Sequence, residues 1–138
     1  MRIIIKNKET LLYDDFTFKC CIGKNGTTNN KIEGDKKTPK GVFFLGPVFY
    51  RKDRIKNLFT KIKKKQIKKS MGWCDDVKNR NYNKLIKITN NIKHEKLFQK
   101  KNNYDLIIPI EYNTKKPQKN KGSAIFIHLT KNYKKTLG

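Results

Sequence analysis

Apolar positions along this chain fall in short bursts, and most bursts follow the two-residue period of a half-buried strand rather than the longer period of a helix. Residues 2–6 are β-rich, 7–10 read as a turn, and 11–13 and 16–22 read as strands. In the second of these, Phe16, Phe18, Cys20 and Ile22 alternate onto one face. A long Gly- and Asn-rich loop covers 23–41. Residues 42–50 form an apolar, aromatic strand that Gly46-Pro47 interrupts, as at a bulge or a sheet edge. In 51–70, Ile55, Leu58, Phe59 and Ile62 fall at helical spacing inside a basic run. Two readings stay open there: a short amphipathic helix, or a solvated loop with a few apolar anchors. Turn chemistry surrounds Trp73 over 71–83, 85–88 is a short strand, and 94–98 reads as one or two helical turns. The clearest strands are 104–112 and 124–129, both nearly continuous runs as expected of buried sandwich strands, with a polar loop over 115–122. No internal repeat is present. The expectation is a mainly β protein, a β-sandwich with one or two short helices.

Length and composition narrow this picture. The 138 residues suffice for one core, so a single domain over 1–138 is expected. No apolar run approaches the roughly 20 residues of a membrane helix, so no transmembrane segment is expected. Cys20, Cys21 and Cys74 contain no CxxC pair, which excludes a zinc ribbon. The start Met1-Arg2-Ile3-Ile4-Ile5-Lys6 has too short an apolar stretch for a secretory signal, so free thiols are expected rather than a disulfide framework.

The net charge of +23 favours anionic partners of any kind, among them nucleic acid, cell-wall polymers and acidic lipid headgroups. The type of base argues against a dedicated nucleic-acid reader. Only Arg2, Arg51, Arg54 and Arg80 are arginine; every other basic residue is lysine, a point charge without the guanidinium fork. Lys, Asn and Ile supply 61 of the 138 residues, all with A/T-rich codons, so genome composition accounts for part of the excess. A non-catalytic basic module that binds nucleic acid or another polyanion through residues 61–69 is the alternative function.

Four segments carry a resemblance. Gly34-Asp35-Lys36-Lys37-Thr38-Pro39-Lys40-Gly41-Val42-Phe43 fits a Gly-Asp-x-x-Thr-Pro-x-Gly-x-Phe pattern. Gly72-Trp73-Cys74-Asp75-Asp76 is followed by Tyr82-Asn83. Tyr104-Asp105 precedes Tyr112-Asn113. Gly122-Ser123-Ala124-Ile125-Phe126-Ile127-His128 closes the series. In this order they resemble the YkuD-type L,D-transpeptidase catalytic domain, in a subgroup with a Gly-Trp-Cys-Asp-Asp block. The family's nucleophile is a Cys in a Ser/Thr-x-Gly-Cys turn. Thr136-Leu137-Gly138 fits that turn, and the place of the Cys lies one residue further on. The resemblance thus implies a C-terminally truncated domain, inactive as written.

What the resemblance implies is acyl transfer on peptidoglycan stem peptides. A thiolate attacks the carbonyl at the donor's L-centre, the terminal D-residue leaves, and an acceptor amine resolves the thioester. His128 is the implied base, and backbone N–H groups of the Thr136–Gly138 turn are the implied oxyanion donors. No metal or cofactor is implied. A monomer in the cell envelope is expected, although no signal peptide is visible and a cytoplasmic location stays open. Trp73, Asp75, Asp76, Tyr82 and Asn83 either line the substrate cleft or form a hydrogen-bonded turn packed on Trp73. Likewise, Gly34, Asp35, Thr38, Pro39 and Gly41 either shape a loop or wall the cleft. Cys74 is expected to be a poor nucleophile, because Asp75 and Asp76 raise a thiol pKa. His94, beside Glu95, reads as a surface residue.

Overall fold

The structure is a computed structural model that describes residues 2–133 and 136. It divides into two compact units, one of residues 1–41 with 130–138, the other Val42–Leu129.

In the first unit, β1 (Ile3–Ile5), β2 (Thr10–Tyr13) and β3 (Phe16–Lys19) form an antiparallel meander. The register pairs Ile3 and Phe16 with Tyr13, and Ile5 and Phe18 with Leu11. All six side chains therefore share one face. That face is not closed over: Phe16 is 64% exposed and Phe18 50%. Burial on the expected 16–22 alternation begins only past β3, with Cys20 half-buried and Ile22 buried. The long loop carries a small parallel pair, β4 (Thr27–Thr28) and β5 (Thr38–Pro39).

The second unit holds two sheets. One is four-stranded, in the order β12 (Phe126–His128), β11 (Leu106–Pro109), β6 (Val48–Tyr50), β7 (Lys64–Gln66). The other is three-stranded, in the order β10 (His94–Lys96), β8 (Met71–Cys74), β9 (Leu85–Lys87). Phe49, Ile67, Trp73, Leu97 and Ile107 make the core, with Met71, Leu85, Tyr104 and Phe126 against it. Trp73 meets Phe126 edge to face at 5.2 Å and Phe49 at 6.5 Å. Such ring pairs add about 0.5–1.5 kcal/mol each beyond area burial.

The protein is mainly β, as the sequence predicts, and the strands at 85–88, 104–112 and 124–129 form, somewhat shortened. One helical expectation is corrected, and of the two readings open for 51–70 it is the loop that forms. Residues 51–70 form turns and the short strand β7, because Arg51 organises the segment. The guanidinium of Arg51 is buried. Its Nε and Nη2 donate to Asp53 at 2.8 and 2.6 Å, its Nη1 donates to the Gln99 carbonyl at 2.6 Å, and its plane lies 3.5 Å over the Phe98 ring. Residues 94–98 are no helix either: β10 pairs His94, Glu95 and Lys96 with Cys74, Trp73 and Gly72. Among the described residues, the only helical element is a 3₁₀ turn at Asn102–Tyr104.

Candidate functional site

In the Val42–Leu129 unit, the residues singled out from sequence converge on the segment that leads into β12. Asn83 closes the turn between β8 and β9 at φ +57°, a left-handed conformation that asparagine tolerates better than most residues. Only 2% exposed, its amide is fully engaged. Its Oδ1 accepts from Trp73 Nε1 at 2.8 Å and from the Ala124 N–H at 3.1 Å. Its Nδ2 donates to the Tyr112 and Asn113 carbonyls at 3.1 and 2.7 Å. The buried Tyr82 hydroxyl accepts from the Gly122 N–H at 3.0 Å. Asn113 repeats the device at φ +53°, donating to the Gln118 and Gly122 carbonyls at 3.0 and 2.9 Å. Ala124 itself stands at φ +52°, a strained position for a residue with a Cβ. The Asn83 amide offsets that strain by holding the Ala124 N–H. Trp73, Tyr82 and Asn83 thus form a hydrogen-bonded brace beneath 122–124.

The two carboxylates of the block behave differently. Asp76 Oδ1 accepts from the Lys78 N–H at 3.0 Å and shapes the turn. Asp75 sits 3.6 Å from Lys93 Nζ through Oδ2, while its buried Oδ1 has no hydrogen-bond partner among the described residues. Cys74 is completely buried. Burial pushes its thiol up, and the charges of Asp76 and Asp75 push it further, against a hydrogen bond from the Asp76 backbone. Burial also pushes the Cys20 thiol up, with Cys21 and Glu9 adding to it. Neither thiol has the electropositive surroundings that make a nucleophile.

His94 is no surface residue. It lies across the sheet from Cys74, and its ring covers Gly72, where a Cβ would come within 2.7 Å of the imidazole. Glycine is required at 72 for this reason.

β12 is an edge strand and ends on His128. Its Nδ1 lies 2.7 Å from the Leu129 carbonyl. A carbonyl only accepts, so Nδ1 carries the proton and, in the neutral ring, Nε2 keeps the lone pair. Tyr104 packs edge-on against the imidazole at 5.3 Å. Burial pushes the Tyr104 phenol up beyond its ordinary range, and the charge of Glu95 and its hydrogen bond to the hydroxyl do the same. Tyr104 therefore stays neutral, anchored at one end by Glu95 and steadying His128 with its ring. Sequence reading did not single out Tyr104 or Glu95 for this role. The signal was present in Tyr104-Asp105 but carried no indication of which strand the ring would face.

In the other unit, the Gly-Asp-x-x-Thr-Pro segment is a self-braced loop. Asp35 Oδ1 accepts from Lys31 Nζ at 2.5 Å and from the Lys37 N–H at 2.9 Å, and its Oδ2 accepts from the Ile32 N–H at 3.0 Å. Lys31 is buried to 4% exposure by this pairing. Thr38 Oγ1 accepts from the Gly23 N–H at 2.8 Å. Gly23 bridges Thr136 in parallel, with the Lys24 N–H donating to the Thr136 carbonyl at 2.8 Å and the Thr136 N–H to the Ile22 carbonyl at 3.3 Å. The loop motif thereby holds the strand segment against which Thr136 lies. Gly138 falls outside the described residues.

Asp35 makes this unit acid-sensitive. Burial pushes its carboxyl up, but the hydrogen bonds from Ile32, Lys31 and Lys37 and the Lys31 charge outweigh it, so the carboxyl titrates below the usual range. A depressed carboxyl contributes stability in full above its unfolded value, about 3.9, and loses it as pH falls through the lower folded value. In urea melts followed across pH, Asp35→Asn is expected to lose about 2 kcal/mol at neutral pH, since it leaves Lys31 buried without its counter-charge. It is also expected to flatten the dependence below about pH 4.

No helix among the described residues is long and apolar enough to cross a membrane. A family model described as the L,D-transpeptidase catalytic domain (YkuD) matches residues 1–138. No curated protein and no solved structure matches the chain.

Proposed function

The chain belongs to the YkuD family of L,D-transpeptidase catalytic domains, and from that premise we propose that its chemistry is Cys/His acyl transfer on peptidoglycan stem peptides in the cell envelope. The observation that carries this reading is the Nδ1 bond of His128 to the Leu129 carbonyl, which leaves Nε2 as the proton acceptor. By the family resemblance, the sulfur it serves is the Cys of the family's Ser/Thr-x-Gly-Cys turn. Nε2 takes the thiol proton, and the thiolate adds to the carbonyl carbon at the donor's L-centre. When the tetrahedral oxyanion collapses, the C–N bond to the terminal D-residue breaks and the imidazolium protonates the departing amine. An acceptor amine then attacks the thioester, giving the new amide and regenerating the thiol. The family resemblance assigns oxyanion stabilisation to backbone N–H groups of the turn that bears the Cys.

Within this reading, Trp73, Tyr82 and Asn83 act by holding 122–124, and so position the strand that ends in His128. Asp75, its side chain 22% exposed with Oδ2 toward Lys93, is the carboxylate of the Trp73–Asn83 block assigned to accept from an amine of the stem peptide. Asp76 shapes the turn beside it.

The test extends the chain past Gly138 with its natural downstream sequence, so that the turn carries the family's cysteine, and exposes it to a carbapenem or a tetrapeptide stem. Intact-mass spectrometry is expected to show a single acyl adduct, which replacing that added cysteine by alanine abolishes. An extended, folded protein that forms no adduct, or forms one on Cys20, Cys21 or Cys74, overturns the assignment.

A further inference from the structure

From Arg54 to Cys74 the chain carries no acidic residue, while Arg54 and Lys56, Lys61, Lys63, Lys64, Lys65, Lys68 and Lys69 supply eight positive charges. At the centre of this segment Phe59 is 93% exposed, and Ile62, three residues on, is 38% exposed. Phe59 and Ile62 place an aromatic and an aliphatic side chain within the basic segment, the composition of an interfacial membrane contact. The loop presenting it is built rather than slack. The Ile55 N–H donates to the Arg51 carbonyl at 2.7 Å, Lys64 Nζ reaches back to the Leu58 carbonyl at 3.2 Å, and the Ile62 N–H donates to Thr60 Oγ1 at 3.2 Å. Its root is fixed by the buried Arg51 and by the Val48 N–H bond to the Lys63 carbonyl. Beyond the loop, β7 lies at the sheet edge with all three of its residues exposed.

We infer that the loop 54–63 and the adjoining strand β7 dock the protein on an anionic lipid bilayer, with Phe59 and Ile62 entering the headgroup region and the surrounding lysines pairing with lipid phosphates. Charge complementarity selects an anionic surface, and the apolar pair selects a bilayer among anionic surfaces. Past Arg54 every charge is a lysine, a hydrated point charge suited to lipid phosphates, without the guanidinium fork that reads bases. The exposed apolar members are one aromatic and one aliphatic side chain, which a hydrocarbon boundary accepts. Single-stranded nucleic acid instead calls for aromatic platforms on which successive bases stack. This inference is independent of the acyl-transfer reading, since no residue of that site takes part in it.

The test is co-flotation of the full chain with vesicles of phosphatidylcholine containing about 30% phosphatidylglycerol, near 0.1 M salt, where a surface charge still acts over about 10 Å. Binding is expected to these vesicles and not to pure phosphatidylcholine. Phe59→Ser is expected to weaken it about tenfold. Combined Lys61→Gln, Lys63→Gln and Lys68→Gln is expected to weaken it about a hundredfold, at roughly fivefold per lysine. Phe59 and these lysines are exposed, so circular dichroism should leave the fold unchanged in all variants. No binding to anionic vesicles overturns the inference. So does binding that ignores Phe59→Ser, or a duplex oligonucleotide that displaces the vesicles at equal charge concentration.

Discussion

Asn83→Leu is expected to destabilise the Val42–Leu129 unit by about 4 kcal/mol, enough to unfold a marginal domain. The side chain is buried and makes four hydrogen bonds. Leucine of similar size removes all of them at once. It leaves the Trp73 indole N–H and the Ala124 N–H without an acceptor, and the Tyr112 and Asn113 carbonyls without a donor. Each buried group so orphaned costs about 1–3 kcal/mol, with losses that overlap because the groups share one network. Leucine is also poorly suited to the φ of +57° that asparagine adopts there. Asn83→Asp is the informative companion. It keeps the acceptor for Trp73 and Ala124 but loses both donors, so it should fall about midway. Equilibrium urea unfolding of the three proteins checks the order, and equal stability of wild type and Asn83→Leu would remove the brace from the account of the fold.

The second large effect concerns rate. In the chain extended to include the family's cysteine, His128→Ala is expected to slow acylation about a thousandfold at neutral pH, within the usual span for removal of a general base. The deficit should shrink as pH rises toward the thiol's own range, roughly 8.5, because the thiolate then forms without help. A parallel pH–rate profile for both proteins would show instead that the imidazole takes no proton. His128→Ala leaves the Asn83 brace untouched, so its melting should differ little from wild type, which separates chemistry from folding.

The sequence revealed the strands where one physical cause dominated. Ile107 and Ile108 in β11 and Phe126 and Ile127 in β12 are β-branched and aromatic runs that favour an extended, half-buried chain. It left the outcome open, or misled, where a distant partner decided. The spacing of Ile55, Leu58, Phe59 and Ile62 is helical, yet Arg51 ties its end of that segment to Asp53, Gln99 and Phe98, contacts that no local pattern displays. His94-Glu95-Lys96 has no strand-like periodicity. It is a strand because β8 offers it an edge and Gly72 offers room for an imidazole. At the site, motif order led to His128 and to the Trp73–Asn83 block. Neither Tyr104 nor the Lys31–Asp35 pair was legible as a support, since both act through contacts that spacing does not encode.

β7 closes one side of the four-stranded sheet and leaves a row of backbone groups facing water. An open rim of that kind is a template on which other chains can stack into fibrils. Lys64 and Lys65 occupy two of its three positions, and like charge repels a second copy arriving along the same line. The protection is electrostatic, so it weakens as counterions accumulate. Resistance to stacking at this rim therefore falls as ionic strength rises.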